Sequence, residues 1–158
     1  MAKFVYRMQN ILNIKQKLET QAKMTYSLAN QKYVEQQKIL QEYMVRRVGY
    51  EQHWKKLMQG NLNLQEVEHA RADVNAMKTI VRRQMVEVHK AEKELEDARN
   101  RLKTVMQERK VQEKLREKAF EEFKQELAEA ETKEIDELVS YTYNKGEQIG
   151  RASCRERV

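Results

Sequence analysis

The sequence predicts an all-α protein: an elongated antiparallel two-helix coiled-coil hairpin with the second helix longer. Three observations carry this. The 158-residue chain has no proline, 35% charged residues and only 7% aromatics, which suits long charged helices rather than a compact core. Residues 74–105 repeat apolar side chains every seven positions, the spacing of a coiled-coil seam. One short break, Gly60-Asn61-Leu62-Asn63, divides the chain, and a short turn makes two helices antiparallel neighbours.

The first helix is expected over residues 2–59. Its stripe runs Phe4, Met8, Ile11, Leu18, Ala22, Ala29, Tyr33, Leu40, Met44 and Leu57. Phe4 to Leu40 is 36 residues, about ten turns at 3.6 residues each, so the stripe keeps to one face. The turn spans 60–63. Gly60 suits the left-handed residue just past a helix end. Asn63 suits the next N-cap, Glu66 completes a capping box, and Leu62 with Val67 forms a hydrophobic staple.

The second helix is expected over residues 64–145. One heptad series is Val74, Val81, Val88, Leu95 and Leu102; the interleaved series is Met77, Gln84, Ala91, Ala98 and Val105. The next positions are polar, Arg109 and Gln112, so the register is expected to fail there and resume in Leu115, Ala119, Phe123, Leu127 and Ala130. That phase shift reads as a stutter. The alanines at 22, 29, 91 and 98 allow close helix approach. Glu19–Lys23, Glu42–Arg46, Glu51–Lys55, Asp97–Arg101 and Glu129–Lys133 are expected on exposed faces, each contributing about 0.2–0.5 kcal/mol. A large seam side chain contributes about 1.5–3 kcal/mol, so the seam dominates and neither helix stands without a partner surface.

At 1.5 Å per residue the helices span about 85 Å and about 120 Å. Folding back from position 62 sets Phe4 near residue 120. Beyond Gln125 the second helix then has no intrachain partner, yet Leu127, Ala130, Leu138 and Tyr141 continue an apolar stripe. Such a stripe invites another protein. This end is also acidic, with Glu126, Glu129, Glu131, Glu134, Asp136 and Glu137 against Lys133. Residues 1–60 hold 11 Lys/Arg against 4 acids, net +7, and residues 61–148 hold 17 against 20, net −3. A basic and an acidic half are expected to lie against each other.

The last ten residues, Ile149 to Val158, back-translate to ATC GGA AGA GCG TCG TGT AGG GAA AGA GTG, the string of a short-read sequencing adapter whose next codon is a stop. Residues 149–158 are therefore read as an artefactual tail and set aside, leaving a single hairpin domain over 1–148. Cys154, the one cysteine, falls in that tail. No disulfide framework or thiolate metal site is then expected, and a reducing cytoplasm fits.

No stretch approaches the roughly 20 apolar residues of a membrane span, and no apolar block follows Met1-Ala2-Lys3-Phe4, so no secretory signal is read. Gly49, Gly60 and Gly146 are isolated, so none builds a phosphate-cradling loop. His53 and His69 flank the turn without a metal-ligand spacing. Carboxylate pairs are read as solvated faces. No catalytic, cofactor-binding or metal-binding residue is assigned, and an enzyme is the least favoured class. Met44, Met58, Met77, Met85 and Met106 are read first as core filling, second as an adaptable surface. Tyr50 and Trp54 either pack the hairpin tip or present it. The run from Arg109 to Lys118 aligns Lys110, Lys114 and Lys118 at four-residue steps. It is either a solvated face or a docking surface. Nucleic-acid binding ranks third, because Glu113 and Glu117 dilute the charge and no aromatics interleave.

Three segments resemble the FliJ family of flagellar export proteins. Phe4-Val5-Tyr6-Arg7-Met8-Gln9-Asn10-Ile11-Leu12 resembles its N-terminal signature. Arg109-Lys110 through Lys114-Leu115-Arg116-Glu117-Lys118 resembles its Arg-Lys…Glu-Lys-Leu-Lys-Glu-Lys stretch. Glu131-Thr132-Lys133-Glu134-Ile135-Asp136-Glu137-Leu138 resembles its ending, with Thr132 where Gln is usual. The resemblance covers residues 3–143. It implies a non-enzymatic, stalk-like component of the bacterial flagellar type III export apparatus, cytoplasmic and peripheral to the cell membrane. The implied partners are a hexameric export ATPase (FliI-like), an export-gate protein (FlhA-like) and export chaperones. Candidate contacts are Phe4, Arg7 and Gln9 with Lys110, Lys114, Arg116 and Lys118, and Leu138 and Tyr141 on the free end. A monomer without cofactors is expected. The alternatives are a generic or dimerising coiled-coil adaptor, and a basic nucleic-acid-binding helical protein.

Overall fold

The computed structural model describes residues 2–156, with side chains for residues 2–147. The described residues form two helices, α1 (Gln9–Leu57) and α2 (Leu64–Glu156), and no strand. The fold is an all-α helical hairpin with the longer second helix, 93 residues against 49. The side chains of the tail 149–158 lie outside the described residues. The chain divides into two compact units: Ile14–Arg109, and Met1–Asn13 with Lys110–Val158.

In the unit Ile14–Arg109 the core is the seam between α1 and α2. On α2 it buries Ala70, Val74, Met77, Val81, Ala91, Leu95, Ala98 and Val105, all but Ala70 belonging to the two heptad series read from the sequence. On α1 the enclosed or half-enclosed positions are Glu19, Tyr26, Tyr33, Leu40, Arg47 and Trp54 in one series, and Ala22, Ala29, Gln36, Tyr43 and Leu57 in the other. α1 is therefore heptad-packed as well, which corrects the looser stripe expected there: Met44 is exposed. A coiled-coil helix is underwound to 3.5 residues per turn, so a stripe drawn at 3.6 drifts about 20° per heptad off the seam.

Polar side chains occupy several seam positions. Gln84 donates from Nε2 to the Gln36 carbonyl at 3.0 Å and to Gln36 Oε1 at 2.6 Å. Glu19, expected on an exposed face, is buried at 7% exposure. It accepts Lys23 at 3.4 Å and pairs with Arg109 across the seam. Arg109 thus occupies its heptad position rather than ending the register. At the rim, Lys15–Glu108 at 2.7 Å and Lys32–Glu94 at 3.0 Å join α1 to α2; the expected pairing of a basic with an acidic half goes no further than such single pairs, since residues 64–109 hold 10 Lys/Arg against 9 acids, and exposed pairs steer more than they stabilise.

The turn keeps the predicted roles of Gly60 and Asn63 but not those of Glu66 and Leu62. Gly60 takes φ +148°, the backbone region glycine favours. Asn63 Oδ1 accepts the Gln65 N–H at 3.3 Å and the Asn63 carbonyl accepts the Val67 N–H at 3.0 Å, an N-cap arrangement. The Glu66 half of the capping box is not formed among the described residues, and Leu62 stays largely exposed. Lys55 and Lys56 stand in the last turn of α1, where cations suit the helix dipole. Trp54 is half-buried in the seam with its indole N–H enclosed, whereas Tyr50 is exposed. Of the methionines read as core filling, Met77 is buried and Met106 half-buried, but Met44, Met58 and Met85 are exposed.

Candidate partner-binding surfaces

In the other unit, residues 2–6 precede the helix and α1 starts at Gln9 rather than near residue 2, its first turn closed by Gln9 N–H to the Tyr6 carbonyl at 3.1 Å. No acidic residue lies in that first turn, and no side-chain cap extends the helix earlier. The extended segment carries Phe4 onto α2. Its ring meets Phe120 edge-on at 5.0 Å between centroids and Phe123 at 5.5 Å, geometries favoured by aromatic quadrupoles. Phe4 therefore lies where the back-folding arithmetic puts it. A shallow groove of about 380 Å³ runs beside it, lined by residues that include Lys3, Tyr6, Arg7, Glu122 and Glu126. The groove sets cations of the N-terminal segment and carboxylates of α2 around an apolar floor. Arg7 is exposed; Gln9 is half-buried and its amide donates to Asn13 Oδ1 at 3.0 Å.

The partly buried positions of α2 in this unit include Gln112, Ala119 and Phe123. Gln112 and Ala119 keep the seven-residue spacing of Ala98 and Val105, while Leu115 is exposed. The expected stutter is therefore absent: the heptad continues with polar occupants.

Lys110, Lys114, Arg116 and Lys118 are all exposed and have no ion pair among the described residues. They do not form one patch. Four-residue steps hold the three lysines on one face, beside exposed Val111 and Leu115. Arg116, two residues from Lys114 and from Lys118, lies about 200° round the helix, seven residues before Phe123 on the seam side. The sequence places Arg116 with the lysines by proximity; helical geometry places it on the side of α2 that carries Phe123. Phe4 meets Phe123, which the stripe contained, and Phe120, which it omitted. The signal for Phe120 was the back-folding position itself.

From Lys124 to Glu147 every described residue of α2 is exposed. Leu138 and Tyr141 are 65% and 66% exposed and share a face with Leu127 and Ala130 by helical spacing. Residues 121–147 carry nine acids against three lysines. Among the described residues no helix is long and apolar enough to cross a membrane, and no three His, Cys, Asp or Glu side chains gather as a metal-holding group.

Two helices packed against each other in heptads, the second longer than the first, define an all-α coiled-coil hairpin. Residues 4–148 match the model of the flagellar FliJ protein family, and the chain belongs to that family. It is thus a component of flagellar type III protein export and of flagellum biogenesis. No curated protein and no solved structure gives a match.

Proposed function

We propose that the protein is a non-enzymatic, stalk-like coupling component at the cytoplasmic face of the export apparatus. It engages the hexameric export ATPase through Phe4, Arg7 and Gln9, the neighbouring Arg116, and the free end of α2 with Leu138 and Tyr141. The lysine face of Lys110, Lys114 and Lys118 serves a second partner, either the export-gate protein or an export chaperone. The single observation that carries this reading, beyond family membership, is the fully exposed apolar and acidic end of α2. Its charge argues for a partner other than a second copy, since self-pairing would oppose like-charged segments. The bound partner surface is then apolar with basic flanks.

The test is hydrolysis by the cognate export ATPase with and without the purified protein. Stimulation is expected. It is expected to fall several-fold with Leu138→Asp/Tyr141→Ala at unchanged helicity. Absence of both binding and stimulation overturns the reading. Sedimentation supplies the second arm: a monomer is expected, and a dimer that buries the 124–147 segment would favour the adaptor reading.

A further inference from the structure

The apolar seam is nearly periodic in composition as well as in spacing. On α2 it repeats Val74-Val81-Val88, Ala91-Ala98 and Leu95-Leu102; on α1 it repeats Ala22-Ala29 and Tyr26-Tyr33. Ala29 and Ala98 line one groove between the helices. If α1 slid seven residues along α2, Ala22 would take the place of Ala29 beside Ala91 and Ala98, so small side chains would again face small ones. Knob-into-hole packing separates these two registers only weakly, because a heptad slip returns every seam position to a seam position.

The polar seam residues do not share this repeat. In the observed register Gln84 finds both the carbonyl and the side chain of Gln36, and buried Glu19 finds Arg109. In the slipped register Gln36 would face Met77, Gln84 would face Ala29, and Glu19 would face Leu102. Glu19 would keep Lys23 but lose Arg109, and Gln84 would lose the Gln36 carbonyl it bonds, exchanges that disfavour the slipped register. We propose that the Gln36–Gln84 and Glu19–Arg109 layers act as a register lock, fixing which heptad of α1 meets which heptad of α2. The turn fixes register close to Gly60 and Asn63. Gln36 and Glu19 stand 24 and 41 residues before Gly60, where a slip can be absorbed by local unwinding in between. A buried polar layer that selects one register at some expense of stability is a known use of such residues in coiled coils. The lock is a property of this chain's own seam and holds whatever partner the protein takes.

Cysteine cross-linking in the full chain, with Cys154→Ser, tests it. Ala29→Cys/Ala98→Cys reports the observed register and Ala29→Cys/Val88→Cys the slipped one, since a disulfide forms only where Cα atoms come within about 7 Å. With the native polar layers only the first pair is expected to close. In the background Glu19→Leu, Gln36→Leu, Gln84→Leu, Arg109→Leu, the yield of the slipped pair is expected to rise by about tenfold or more, the change that a removed bias of about 1.4 kcal/mol permits. If that background fails to keep its helical circular dichroism signal, Gln36→Leu/Gln84→Leu alone is used, and the slipped yield is still expected to rise. A helical variant that closes only the Ala29/Ala98 pair overturns the lock and assigns the register to the turn and apolar packing.

Discussion

Val81 is among the most enclosed side chains of the seam, at 1% exposure. Val81→Ala removes two methyl groups and is expected to destabilise the hairpin by about 2 kcal/mol, read as a lower urea midpoint at unchanged slope. Leu138→Ala removes more carbon from an exposed position and is expected to stay within about 0.5 kcal/mol. The contrast separates the seam from the proposed docking surface by burial alone. Charge follows the same logic. Glu19→Ala removes a seam partner of Arg109 and is expected to cost about 1–3 kcal/mol, whereas Glu19→Leu/Arg109→Leu together are expected to be neutral or stabilising. Lys32→Ala, which breaks an exposed pair with Glu94, is expected to change the midpoint by less than about 0.5 kcal/mol.

The turn and the helices test different parts of the sequence reading. Gly60→Ala forces a side chain into a backbone region it avoids, and is expected to cost about 1–2 kcal/mol even though open space surrounds the site. Asn63→Ala removes the cap of α2 and is expected to cost about 1 kcal/mol. Both are read by chemical denaturation. The turn was legible because glycine and asparagine act locally, through φ and a hydrogen bond to a near neighbour. The α2 heptad was legible because valine and leucine announce burial by type. The α1 heptad was not, because Glu19, Gln36 and Arg47 fill seam positions with polar groups. The partners that make Gln36 and Glu19 tolerable there lie 48 and 90 residues away, at Gln84 and Arg109. For the same reason Arg109 and Gln112 looked like the end of the register and are instead its continuation. Of the candidate binding residues, the meeting of Phe4 with α2 followed from counting back through the turn. The separation of Arg116 from Lys110, Lys114 and Lys118 was available from helical geometry at 100° per residue, a step that sequence proximity obscured.

Across the whole molecule, the enclosed seam and the free end of α2 proposed for partner contact are different stretches of chain. A protein ending at Glu126 is expected to unfold at a urea midpoint within about 0.5 kcal/mol of the full chain, because residues 127–147 enclose nothing. It is expected to lose stimulation of the export ATPase, and a truncated chain that stimulates fully would detach the proposed function from this segment. The solitary run of α2 also has a calorimetric signature. A helix that leans on no neighbour frays from its tip in small steps, each adding or losing about one hydrogen bond, while a seam gives way all at once. On warming, ellipticity is expected to decline first along a shallow slope without a heat-absorption peak, then to fall sharply at a single transition. Binding of the partner would convert the slope into part of the peak, so the thermogram itself would report the occupied state.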